Sequence, residues 1–124
     1  MAHEREELPR PAWRDALELL TKEHEGNDVT IEILSRDLGD QVETQRLPLN
    51  YIEYDHKDDA LIVGVGGHTT RFPVLLRHII AHPQAILMHP VVPDDDPAVE
   101  VVGADGVTTL ITMRPRPALP GDES

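Results

Sequence analysis

The chain has no cysteine, which removes disulfides, thiolate metal sites, iron–sulfur clusters and cysteine nucleophiles at once. Aromatic residues are nearly as scarce. One Trp, two Tyr and one Phe in 124 residues are too few to build stacking platforms for bases or sugars. Positive charge is also short. Eleven Lys and Arg stand against 23 Asp and Glu, a formal net charge of -12. That balance repels phosphate backbones and anionic lipid surfaces, so neither nucleic acid nor membrane is expected as a partner. A basic partner, or plain solubility, fits the acidity better. No long apolar run is present. Met1 to Glu7 is charged and leads into no hydrophobic stretch, so neither a signal peptide nor a membrane span is expected, and the cytoplasm is the expected location. Serine occurs only as Ser35 and Ser124, and no Gly-x-Ser-x-Gly elbow surrounds either.

What is present has the size of one domain, able to bury roughly two thirds of its unfolded surface in one core. Residues 1–10 read as a frayed acidic leader. From Pro11, a residue suited to a first helical turn, Trp13, Ala16, Leu17 and Leu20 fall on one stripe at i, i+3, i+4 and i+7. Gly26-Asn27 supplies the left-handed stop. The period then drops to two. Val29, Ile31 and Ile33 alternate with Asp28, Thr30 and Glu32, predicting a half-buried strand. Arg36 to Asp40 turns the chain, Gln41 to Leu47 returns as a more polar strand, and Pro48 marks a break. Tyr51 to Tyr54 and Ala60 to Val65 flank five polar residues and predict a hairpin.

Pro73 to His82 resumes a helical period, with Leu75, Leu76, Ile79 and Ile80 inward and Pro83 as the stop. Ala85 to Val92 is a further strand, Pro93 to Pro97 an acidic loop, and Val99–Val102 with Val107–Met113 a last hairpin around Ala104-Asp105-Gly106. The order α-βββ(β)-α-βββ predicts a two-layer α+β domain over residues 11–114. Its sheet is mostly antiparallel, with about six to seven short strands under two helices. Residues 115–124, rich in proline, read as a disordered tail.

Several stretches resemble a bacterial and archaeal family known as domain of unknown function 5335. They are Leu8-Pro9-Arg10 with Trp13, Val29-Thr30-Ile31-Glu32, and Leu38-Gly39-Asp40-Gln41-Val42-Glu43. Further along come Tyr54-Asp55 with Lys57-Asp58-Asp59, Arg77-His78-Ile79-Ile80 with His82-Pro83, and Ala104-Asp105-Gly106. The likeness spans roughly Leu8 to Met113. It implies one intact domain. The family has no assigned activity, so it implies no functional residue.

Two constellations are candidates for chemistry. On a helix, His78 and His82 at i, i+4 would share a face and chelate a metal, with His68 as a third ligand. The competing reading is an ordinary helix end, where a histidine meets last-turn carbonyls. Between a strand and that helix, Gly64 to Arg71 offers backbone N–H groups to an anion, through Gly66, Gly67, Thr69, Thr70 and Arg71. The dinucleotide fingerprint fails there, because its third glycine falls on Thr69, and no lysine makes it a P-loop. The bland reading is a flexible loop. Asp55, Asp58 and Asp59, like Asp94 to Asp96, are carboxylates on turns without the alternating spacing of a calcium loop, and read as solvated turn residues.

No cofactor is called for. The function expected is a noncatalytic protein-interaction or regulatory module, paired with a protein partner or with its own copy as a homo-oligomer, because a small sheet leaves edges to be covered. The alternative is a small ligand-, anion- or metal-binding protein, possibly a hydrolase, built on the glycine loop or the histidines.

Overall fold

The apolar stripe that starts at Trp13 becomes the one helix found among the described residues, α1 (Trp13–His24), with Trp13, Leu17 and Leu20 buried. A single 3-10 turn at Arg10–Ala12 precedes it and holds Pro11, whose missing N–H costs a first turn nothing. Gly26, at φ 88°, ends it in the left-handed region as its sequence position predicts. The structure is a computed structural model that describes residues 6–35, 39–66, 76–89 and 97–115; for 39–46 it describes the backbone alone.

Among the described residues, eight strands make one sheet: β1 (Glu6–Glu7), β2 (Asp28–Ser35), β3 (Gly39–Asp55), β4 (Ala60–Val65), β5 (Leu76–Ala81), β6 (Ala85–Met88), β7 (Ala98–Val102) and β8 (Thr108–Arg114). Their spatial order is β1-β6-β7-β8-β2-β3-β4-β5, and every pairing is antiparallel. The mostly antiparallel sheet matches expectation; the count of elements does not, with one helix and eight strands in place of two helices and six to seven. Glu6 and Glu7, placed by sequence in a leader, pair with Met88 and Leu87, and the Leu8 amide donates to the Ile86 carbonyl at 2.8 Å.

The second helix is the principal correction. Leu76 to Ala81 is strand β5, in register with β4 from Val65↔Leu76 to Ala60↔Ala81; residues 73–75 lie outside the described residues. Two apolar pairs four residues apart, Leu75-Leu76 and Ile79-Ile80, satisfy a helical stripe and an extended strand equally. What decides is β4, which is buried along nearly its whole length and needs a partner on each side. That requirement comes from elsewhere in the chain and leaves no periodic mark on residues 76–81.

Pro48 is the second correction. β3 passes through it without ending, but changes neighbour there. Gly39 to Pro48 pairs with β2, and Leu49 to Asp55 pairs with β4. Leu49 meanwhile exchanges bonds with the end of the α1–β2 turn: its amide donates to Asn27 and its carbonyl accepts from Gly26, both at 2.8 Å. A proline is tolerated where the ladder hands over from one strand to another.

The link between β5 and β6 is only residues 82–84, yet β5 ends the sheet order on one side and β6 stands next to the last strand on the other. Such a link reaches at most about 14 Å, so the sheet must curl until its two ends meet at this corner. The core fills the inside of the curl, with Ile31, Ile52, Leu61, Ile86 and Ile111 fully buried. α1 packs against the second half of β3.

Candidate functional site: an open strand edge and a polar clasp

Every ladder has two ends, and the bonds around Thr21 show which groups of this sheet point where. The Ile52 amide donates to the Thr21 hydroxyl at 2.9 Å, and that hydroxyl lies 3.0 Å from the Ile52 carbonyl. Ile52 therefore turns its backbone away from β4, toward α1. Alternation along antiparallel ladders then sets the phase of the strands beyond. Val63 bonds with His78, so Arg77, Ile79 and Ala81 turn their N–H and C=O groups away from β4. A check is available at the corner, where the same phase requires His82 to bond with Asp59, and the His82 amide does donate to the Asp59 carbonyl at 2.7 Å.

Among the described residues no strand pairs with that outer side of β5. Ile79 beside it is 60 % exposed and Leu76 41 %, an unusual state for two large apolar side chains on an edge. A groove of about 450 Å³ runs along it, with His78 to Ala81 as one wall. The other wall is the turn of the last hairpin, Gly103 to Thr109, together with Ile33 of β2. The Asp105 carboxylate in that wall accepts the Val107 amide at 3.0 Å.

At the corner where β5 ends, a polar clasp closes the curl. Asp59 and His82 both sit in the left-handed region, at φ 49° and 51°, a conformation that side chains with a Cβ rarely adopt and that must be held by their surroundings. The Tyr54 hydroxyl donates to Asp59 Oδ1 at 2.6 Å, and His82 Nδ1 lies 3.1 Å from Asp59 Oδ2. Arg10 reaches Tyr54 Oη at 3.3 Å and Asp59 at 3.5 Å through Nη1, and the Pro83 carbonyl at 3.0 Å through Nη2. Its guanidinium stacks 4.2 Å above the Trp13 ring, which meets Tyr54 edge-on.

The hydrogen bond from Tyr54, assisted by His82, holds the Asp59 carboxyl below its ordinary range. The same bond raises the Tyr54 hydroxyl, because ionising it would set two anions side by side. An aspartate beside an imidazole is part of a nucleophile-activating arrangement, but these bonds run between protein groups and tie three chain segments together. The clasp positions the end of β5.

The sequence candidates fare unequally. On a strand, His78 and His82 stand about 13 Å apart along the chain, so the helical spacing that paired them as ligands is gone. His78 lines the groove, whereas His82 belongs to the clasp. His68 lies outside the described residues, as do Gly67, Thr69, Thr70 and Arg71. Gly66, at φ 112°, donates its amide to the Pro48 carbonyl at 2.8 Å. Among the described residues no group of three or more His, Asp or Glu could hold a metal, and no helix is long and apolar enough to cross a membrane. Asp55 caps its turn by accepting the Lys57 amide at 3.0 Å, while Asp59 joins the clasp. Arg10, Tyr54 and Asp59 are the cluster that sequence reasoning missed. The signal was present, since Leu8-Pro9-Arg10, Trp13, Tyr54, Asp59 and His82-Pro83 all lie in the stretches that carry the family resemblance.

Among the described residues, fold and site together define a curled antiparallel sheet with one packed helix and an open strand edge at β5. The chain belongs to the family described as "Family of unknown function (DUF5335)", whose model matches residues 4–122. An uncharacterized protein from Aquifex aeolicus (strain VF5) is 28 % identical over 116 residues, spanning 91 % of this chain and 95 % of that one. No solved structure matches.

Proposed function

We propose that the protein is a noncatalytic protein-interaction module of the cytoplasm, which receives an extended segment of a partner along the outer edge of β5. The observation that supports this reading is the set of backbone groups of Arg77, Ile79 and Ala81 directed at the groove beside exposed Ile79. Strand addition of this kind draws affinity from main-chain hydrogen bonds and selectivity from alternate side chains.

Ile79→Pro is the discriminating variant. It deletes an outward-facing N–H and leaves the bonds to β4 in place, a position at which an edge strand accepts proline. Affinity capture from source cells with the wild-type chain is expected to recover a stoichiometric protein that Ile79→Pro fails to recover. Identical recoveries from both would refute use of this edge. Self-association, the homo-oligomeric form of the same reading, is measured by light scattering on the two proteins.

A further inference from the structure

The net charge of -12 argues for a basic partner, yet the acid is unevenly spread. All 23 Asp and Glu lie outside residues 60–93, a stretch that brings Arg77 and His78 to β5 and whose His82 and His89 meet Asp59 and Glu100. It contains all of β4, β5 and β6. Among the described residues, the acidic side chain lining the groove is Asp105, across from β5 and bonded to the Val107 amide. The opposite end of the sheet is built differently: β1 is two residues long and carries exposed Glu6 and Glu7, a blunted edge. We infer that the occupant of the β5 edge is an acidic extended segment of another protein, alternating apolar and acidic residues; this rests on the binding reading above.

The register sets the pattern. Arg77, Ile79 and Ala81 turn their side chains to the outer face, and His78 and Ile80 to the groove face. A strand added at this edge places every second residue beside Arg77 and Ile79 outside, and the residues between them against Ile80, Ile33 and Val107. Carboxylates outside meet Arg77 and no acid on the strand. Apolar groups inside fill the groove. The selectivity runs against the whole-molecule field, which attracts basic ligands, so its sign separates the local site from bulk electrostatics. Near physiological salt, fields beyond about 8 Å are screened, and the local groups decide.

The test uses the full chain and two labelled heptapeptides, one alternating Val and Glu, the other Val and Lys, read by fluorescence anisotropy at near-physiological salt. The Val-Glu peptide is expected to bind at least about ten-fold tighter, because several glutamates gain attraction to Arg77 where the lysines of the other peptide meet repulsion. Arg77→Glu is expected to abolish or reverse that order, and Ile79→Pro to weaken both peptides. Melting curves of both variants guard against loss of fold. A Val-Lys peptide that binds the wild type more tightly, in a manner sensitive to Ile79→Pro, overturns the acidic occupant and leaves the edge reading intact. Failure of both peptides, or binding indifferent to Ile79→Pro, overturns both. A dimer in light scattering that Ile79→Pro dissociates makes a second copy the occupant, and likewise overturns the inference.

Discussion

The second half of β3 and the outer side of β5 pose the same problem and receive opposite treatment. Each is a run of strand with backbone groups turned away from β4. On β3 the problem is closed by α1: Thr21 bonds both backbone groups of Ile52, while Trp13, Leu17 and Leu20 bury the face around it. On β5 no described strand or helix does this, and Ile79 stays 60 % exposed. Among the described residues, a helix seals the first edge and no strand pairs with the second. An edge left open beside an apolar groove is the kind of surface at which partners add strands.

Removing the seal should have the largest effect. Trp13→Ala deletes a fully buried ring and the contacts of Arg10 and Tyr54 with it, and is expected to cost about 3–5 kcal/mol of unfolding free energy, measured by urea denaturation. A cost under about 1 kcal/mol, the scale of a surface change, would mean that α1 does not hold the β3 edge. Thr21→Val keeps the shape of the side chain and strands the Ile52 amide and carbonyl, for an expected cost of about 1–3 kcal/mol. Amide exchange at Ile52 should accelerate in the same variant.

The clasp that fixes where β5 ends should reveal itself through pH. Asp59 titrates lower in the folded chain than its ordinary 3.8, so its contribution is complete above that value and is lost as pH falls through the folded one. Tyr54 titrates above its ordinary 10.0, so its contribution is complete below 10.0 and is lost as pH climbs through the raised value. The melting temperature of the wild type should therefore exceed that of Asp59→Asn by a steady margin across neutral pH, and the margin should shrink below about pH 4. A margin that persists unchanged in acid would remove the carboxylate from the account. The smallest effect belongs to the open edge. Ile79→Pro should shift stability by less than about 1 kcal/mol, because the N–H it deletes bonds no described group. A larger loss would show that the β5 edge is already engaged within the chain.

Much of the first edge was legible in advance. The stripe Trp13-Ala16-Leu17-Leu20 named the helix and its buried face, and Gly26 named its end. The β2 alternation and the last hairpin were equally plain, since Val29 and Ile31 are buried between exposed or half-buried neighbours and β7 and β8 flank the turn at Gly106. The second edge was not. Leu76 to Ala81 fits two periods, and the choice between them came from β4. The clasp was invisible for a related reason. Arg10, Tyr54, Asp59 and His82 are separated by dozens of residues, and no spacing rule joins them until the sheet curls.

By itself, then, the sequence determined whatever lies within a turn or two of chain: helical and extended periods, glycine stops, hairpin turns, and an acidic net charge. The tertiary structure decided which strand lies beside which, that β3 changes neighbour at Pro48, and that Asp59 and His82 meet at one corner. The reason is physical. Local periodicity records which face of a segment is buried, whereas pairing, closure and exposed edges depend on contacts between segments far apart in sequence.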